Sequence, residues 1–210
     1  MEYQIIYDKN QFSKVKSLFL RVYSDYCGEF VEQYFERMVQ SSDRITAFVQ
    51  NGSVVAFAAH QILRNINSGA APEYLRDCPP AFIQSLHGKT LLTSEWLTIV
   101  PESLGQFSKV HPLDLLLGIC LRMTFQGPTA TTFDGAMGYS RQDRKVDRMA
   151  QRFGAELMGT VYRFQIPCSI VFCQPGALQD HPISRVQQKI ETLWNQREII
   201  HPPFEKEGVA

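Results

Sequence analysis

The sequence predicts a single α/β domain, on three observations. Short apolar runs with period-two alternation are interleaved with longer segments whose apolar residues recur at three- and four-residue steps. An Asn51-Gly52 dipeptide stands between two such runs. The chain has 210 residues, 44% hydrophobic and 20% charged, which is enough for one sizeable core and too apolar for a disordered chain. A domain of this length buries about 70% of the surface its unfolded chain exposes.

In chain order, Tyr3 to Tyr7 is a strand, with Asn10 as the cap of the helix that follows. That helix sets Val15, Leu18, Phe19, Val22 and Tyr26 at helical spacing, and a second one after Gly28 does the same with Val31, Tyr34, Phe35, Met38 and Val39. Ile45 to Val49 and Val54 to Ala59 form a hairpin, because Asn-Gly accepts the positive φ that both central residues of a two-residue turn require. Residues Asn65 to Lys89 form an insert with Pro72, Pro79 and Pro80, containing a short helix at Ala81 to Leu86. Thr90 to Val100 is the fourth strand, ended by Pro101.

Pro112 to Gln126 is a third long helix, apolar on nearly every face and therefore buried, with Gly127-Pro128 as its stop. Thr131 to Met137 is the fifth strand. Arg141 to Phe153 is the fourth of these helices, closed by Gly154 as a left-handed cap. Two strands, Val161 to Ile166 and Ser169 to Cys173, precede a carboxy-terminal helix from Pro182 that buries Val186, Ile190, Leu193 and Trp194. The domain spans residues 1–200, with 201–210 as a tail.

Charge and composition exclude several function classes. Lys and Arg total 21 and Asp and Glu total 21, so no global field draws the chain to nucleic acid or an anionic membrane, and any anion site is local. No apolar run approaches the length of a membrane span, and no leader pattern opens the chain. Five scattered cysteines without metal spacing read as reduced thiols, which places the protein in the cytoplasm, with no metal site. Walker loops, dinucleotide fingerprints and a Ser-His-Asp order are missing.

The order of elements, the Val100-Pro101 end of the fourth strand and the segment Arg148-Met149-Ala150-Gln151-Arg152-Phe153-Gly154-Ala155-Glu156 together resemble the GNAT N-acyltransferase superfamily. The likeness is carried by Leu91 to Phe172. It implies a central mixed β-sheet flanked by helices, with the carboxy-terminal helix as an extra. It also implies that the fourth and fifth strands diverge around an acyl thioester, either acyl-CoA or acyl carrier protein, whose acyl group goes to a small amine or amino acid. The donor then docks along Thr98, Ile99 and Val100.

Departures from the family pattern are informative. The phosphate-binding window between fourth strand and third helix, Glu102 to Pro112, offers one glycine, Gly105, where the family has several small residues that let amides approach a pyrophosphate. The family's tyrosine, the proton donor to the leaving thiolate, falls at Ala150. Degenerate loops of this kind resemble those of GNAT relatives that make N-acyl amino acids or acyl-homoserine lactones. The same departures imply an alternative, a catalytically inactive GNAT-like module that binds an acyl ligand or a protein partner.

Acyl transfer to an amine needs a base. Glu95, on the fourth strand, is the candidate: alternation places it with Leu91, Leu97 and Ile99, among which a carboxylate loses hydration and its pKa rises. Histone-type GNAT enzymes have a glutamate at a similar place, which implies the same role here. The structural alternative is a carboxylate paired with a cation of the insert or exposed where the strands splay. Asp134 either orients the acceptor amine, or caps the following turn or pairs with Arg141. His60 and His111 read as hydrogen-bonded structural histidines. Arg141, Arg144, Lys145, Arg148 and Arg152 fall on one helix face. They are a solvated stripe, or else Arg144, Lys145 and Arg148 meet the phosphates of the acyl carrier or the acidic surface of a carrier protein. The aromatic residues of the first two helices, Tyr26 among them, either line a substrate pocket or pack on the sheet.

Overall fold

The computed structural model describes residues 1–100, 110–126 and 133–201. The expected sites at Gly105 and the phosphate window up to residue 109, with the Gly127-Pro128 stop, lie outside the described residues. Nine strands are described: β1 (Glu2–Ile6), β2 (Arg44–Gln50), β3 (Ser53–His60), β4 (Ile62–Leu63), β5 (Leu91–Ile99), β6 (Gly135–Arg141), β7 (Glu156–Arg163), β8 (Ile166–Cys173) and β9 (Glu198–Ile200). The helices are α1 (Lys16–Cys27), α2 (Val31–Ser41), α3 (Pro80–Ser85), α4 (Pro112–Gln126), α5 (Val146–Gln151) and α6 (Ser184–Asn195). The sheet order is β7-β8-β6-β5-β3-β2-β1-β9, with β4 beside the start of β5. Pairing is antiparallel except at β5/β6 and β1/β9, so the sheet is mixed, as the family resemblance implies.

The β2–β3 hairpin turns at Asn51 (φ 50) and Gly52 (φ 75), the conformation for which Asn-Gly is suited. Helix α4 has the expected bounds, and α6 buries Val186, Ile190, Leu193 and Trp194. Several boundaries differ from the sequence expectation. Asp8 rather than Asn10 is the first cap, accepting from the Asn10 N–H at 3.0 Å, and a 3-10 stretch, Lys9–Val15, precedes α1. β6 runs on to Arg141, Lys145 adopts a left-handed conformation (φ 55), and α5 is confined to Val146–Gln151. The arginine stripe expected on one helix is therefore split between a strand end, a turn and a short helix. Between α6 and the expected tail, Glu198–Ile200 forms a short strand, not signalled in the sequence, that pairs in parallel with β1; residues 202–210 of the tail lie outside the described residues.

Three apolar clusters hold the layers together. On one face, α4, α5 and α6 cover β1, β2, β3, β5, β6 and β8 in a single core that includes Phe48, Leu92, Leu116, Ala136, Phe153 and Ile190. On the other, α1 and α2 pack on the β1–β3 side around Phe19, Phe35 and Phe57. The insert, whose short helix is α3, is folded against the sheet: Leu75, Phe82 and Leu86 pack with Leu91, Met137 and Phe172. This opposite face thus has two cores, which meet the sheet on either side of β5.

Candidate active site at the strand fork

β5 and β6 pair in parallel from Leu91↔Gly135 to Ser94↔Gly138, where the pairing ends, although β5 continues to Ile99 and β6 to Arg141. The strands fork. The cause lies in β5, whose register against β3 slips by one between Thr98↔Phe57 and Glu95↔Ala59, leaving an extra residue opposite Ala58. Trp96 takes positive φ (51) in this bulge. At the crotch a Cβ on Gly138 would stand 2.8 Å from the Ser94 carbonyl oxygen, so only glycine allows β6 to lie this close before it turns away.

The bulge also reverses which side chains share a face. Unbroken alternation predicts Glu95 beside Leu97 and Ile99; instead those two pack on the α4 core, while Trp96 packs on the α1–α2 core. Glu95 lies on the insert face with Thr93, whose Oγ1 donates to Glu95 Oε1 at 3.0 Å. Burial pushes the Glu95 carboxyl up to about 7, against the lowering pull of that hydrogen bond and of the Arg163 charge. Near neutral pH it exchanges a proton readily.

On the α4 face the fork holds a small crevice of about 30 Å³, lined by Ser94, Leu97, Cys120, Leu121, Gly138 and Ser140 among others. Val100 donates its N–H to Val55 O at 2.9 Å. By alternation Thr98 also faces β3, whereas the peptide groups of Leu97 and Ile99 face the fork. Of the three expected dock residues, then, Ile99 presents its backbone to the gap. The Thr98 hydroxyl donates locally, to Trp96 O at 2.6 Å, and lies 3.2 Å from the Tyr23 hydroxyl.

The structure brings further residues to Glu95 that sequence reasoning missed. Tyr139 is the first β6 residue past the pairing. Its hydroxyl donates to the Tyr74 carbonyl, and its ring stands 4.8 Å from that of Tyr74 and 4.4 Å from the Arg163 guanidinium. Arg163 pairs with Asp77 at 3.0 Å. The Tyr74 hydroxyl is buried without a hydrogen-bond partner, and burial together with the Glu95 charge raises its pKa well above the ordinary value. These residues come from three remote segments, so no spacing signals them.

The other expected site residues lie elsewhere. Asp134 is at the closed end of the ladder, exposed, its carboxylate accepting from the Thr90 N–H at 2.8 Å while its own N–H donates to Thr90 O. Arg141 pairs with Asp143 rather than Asp134, at 2.9 and 2.6 Å. Tyr26 is exposed at the C-terminal end of α1, with the Arg141 guanidinium 5.0 Å over its ring. Arg144 and Arg148 are exposed beyond the fork. Arg152 reaches back to Asp114 in the first turn of α4, at 3.2 Å. His60 is fully buried: its Nδ1 donates to Thr93 O at 2.9 Å, its Nε2 lies 2.9 Å from Thr46 Oγ1, and burial lowers its pKa to about 3. His111 accepts from the Leu113 N–H at 3.3 Å, at the start of α4.

No family model matches the sequence, and no curated protein matches it. Solved structures do share its fold. The GphF GNAT-like decarboxylase in complex with isobutyryl-CoA has a TM-score of 0.55 at 14% identity, over 83% of this chain and 100% of that one. An N-acetyltransferase from Staphylococcus aureus Mu50 has a TM-score of 0.53 at 11% identity, over 83% and 97%. The fold is the GNAT fold. Arabidopsis thaliana NAA60 in complex with acetyl-CoA also shares it, with a TM-score of 0.53 at 11% identity, over 83% and 98%. Within this GNAT fold the forked strands are β5 and β6, and Glu95 stands where they part.

Proposed function

We propose that the protein is an N-acyltransferase that moves an acyl group from a thioester, acyl-CoA or acyl carrier protein, to a small amine. The observation that carries this reading is a carboxyl with a pKa near 7 at the point where two strands separate. The thioester enters the crevice on the α4 face, with its carbonyl against the backbone of Leu97 and Ile99. The amine approaches from the insert face and its nitrogen attacks the carbonyl carbon. As the C–N bond forms, Glu95 takes a proton from nitrogen, and the oxyanion is held by backbone N–H donors of the β5 arm. The tetrahedral intermediate collapses with cleavage of C–S, and the thiolate, with a parent pKa of about 8.5, leaves without a dedicated acid and is protonated by solvent. That agrees with Ala150 at the position of the family's tyrosine. Arg144 and Arg148, exposed beyond the fork, are the cations for carrier phosphates, so donor affinity falls as salt rises. Five unpaired, buried thiols suit a reducing cytoplasm.

A second reading, a GNAT-like module that binds an acyl ligand without turnover, is favoured by the first turn of α4. Its buried carboxylate, Asp114, is already engaged by Arg152 near the helix end where the resemblance implies a phosphate. Thiol release from acyl thioesters, measured with and without amines, separates the two. Glu95→Gln lowers amine-dependent release by about 10²- to 10⁴-fold while thioesters still raise the melting temperature. Wild-type turnover in Glu95→Gln removes Glu95 as base. Thioester binding without release with any acceptor favours the module.

A further inference from the structure

We infer that the acceptor is an amine with an aromatic or other planar apolar body and no carboxylate beside the nitrogen. This rests on the acyltransferase reading and names its substrate class.

The insert face of the fork has an unusual lining. The bulge turns Trp96, next in sequence to Glu95, toward α1 and α2, where the Tyr23 ring meets it at 4.9 Å. Phe164, at the tip of the β7–β8 hairpin, reaches across the fork to stand 6.0 Å from Trp96 and 5.3 Å, edge to face, from Tyr34 on α2. Phe164 remains 42% exposed. Both Trp96 (φ 51) and Phe164 (φ 50) hold a left-handed backbone that bulky residues disfavour. Rings from β5, α1, α2 and the β7–β8 turn thus come together around Trp96, the sequence neighbour of Glu95, and leave part of that aromatic surface to solvent. Rings flanking a carboxylate attract a protonated amine and give its apolar body a surface to cover.

Charge decides against amino acids. An α-carboxylate lies one carbon from its amine, so a cation that holds it must stand close to Glu95. Among the described residues, Arg163 is the guanidinium whose charge reaches Glu95, and it is committed: to Asp77 at 3.0 Å, to Tyr74 O at 3.4 Å and to the face of Tyr139. Farther out, Arg141 is held by both oxygens of Asp143. A carboxylate-bearing acceptor would have to compete with Asp77 for Arg163 while facing Glu95. Like charges so placed cost affinity and supply discrimination.

Phenethylamine and phenylalanine differ by that carboxylate alone, which makes them the decisive pair. Their binding to the unmodified protein is measured by calorimetry, with and without coenzyme A, and each is then tested as acceptor in thiol release from acyl thioesters. Phenethylamine is expected to bind and to turn over at least tenfold better. Phe164→Ala at the exposed hairpin tip should weaken phenethylamine about tenfold, and Asp77→Asn, by freeing Arg163, should narrow the preference. Phenylalanine binding as well as phenethylamine, or neither binding, overturns the inference. Phenylalanine-dependent thiol release would do so while leaving the acyltransferase reading intact. Phenethylamine that binds selectively but supports no thiol release overturns the acyltransferase reading and leaves the amine site standing.

Discussion

The two faces of the sheet at the fork are built differently, although both are lined by neighbours on β5. On the α4 face one core passes from β1 across the fork to β8. On the insert face the α1–α2 core and the insert core stop on either side of it. Each face carries one buried titratable side chain bonded to Thr93: His60 to its carbonyl, Glu95 to its hydroxyl. Burial disfavours the charged form of both and so moves their pKa values in opposite directions, the histidine down and the carboxyl up. The histidine has partners on both ring nitrogens and the tightly packed Cys120 beyond them. Glu95 has one hydroxyl donor and lies at the break between cores. A buried group whose bonds are all taken is structural; one whose bonds are partly open, beside a gap, is available for chemistry.

The contrast predicts a stability profile with two limbs. His60 has a folded pKa of about 3, below its unfolded value, so the unfolded state binds more protons between about pH 6.5 and 3. Stability present above pH 6.5 is lost as pH falls, by on the order of 4 kcal/mol. Denaturant melts of His60→Gln should be flatter on the acid side, though less stable at neutral pH. An unchanged acid limb would mean that His60 is not held neutral. Glu95 has the opposite sign: its folded pKa, about 7, is raised, so its contribution is present below the unfolded value and lost as pH rises through 7. Glu95→Gln should therefore gain stability relative to wild type at pH 8, by on the order of 2 kcal/mol once partial solvent exposure is allowed for. The same carboxyl should give kcat/KM a limb that rises with pH near 7 and is missing in the variant.

The next perturbation joins the faces. Gly138→Ala sets a methyl 2.8 Å from the Ser94 carbonyl, a backbone atom that can yield only by moving β5 or β6. Melts should show a loss of about 2 kcal/mol, and thioester affinity should fall with it because the crevice and the crotch are one structure. A stable Gly138→Ala with unaltered thioester binding would show that the fork does not depend on this close approach.

How much of this was legible in the sequence follows from how local each signal is. Helix α4, the Asn51-Gly52 hairpin and β5 are written in contiguous patterns, and the sequence placed each within a residue of its observed bounds. Glu95 stood out as a carboxyl in an apolar strand, but its face did not, because nothing in Ser94-Glu95-Trp96-Leu97 announces a bulge with tryptophan at positive φ. Arginines three and four residues apart suggested a helix from Arg141, yet the same spacing arises where a strand, a turn and a short helix succeed one another. The β7–β8 turn uses Phe164 and Gln165 at positive φ without glycine or asparagine, and so lacked its usual cue. Tyr74, Tyr139 and Arg163 converge only through tertiary packing, which no period in the chain encodes.

Asp134 offers the smallest effect and a clean separation. Its carboxylate accepts from the Thr90 N–H and its own N–H donates to Thr90 O, so it fastens the start of β6 to the start of β5, at the end of the ladder away from the fork. Thr90 and Glu95 are five residues apart along the chain, so at about 3.3 Å per residue Glu95 lies roughly 16 Å from this tie. Asp134→Ala removes one hydrogen bond to an N–H that water can then reach. Stability should fall by about 1 kcal/mol, with KM for the amine and kcat unchanged. A rise in the amine KM with stability intact would instead give Asp134 the acceptor-orienting role, and would move the acceptor toward the closed end of the ladder, away from the aromatic face that Glu95 shares with Trp96.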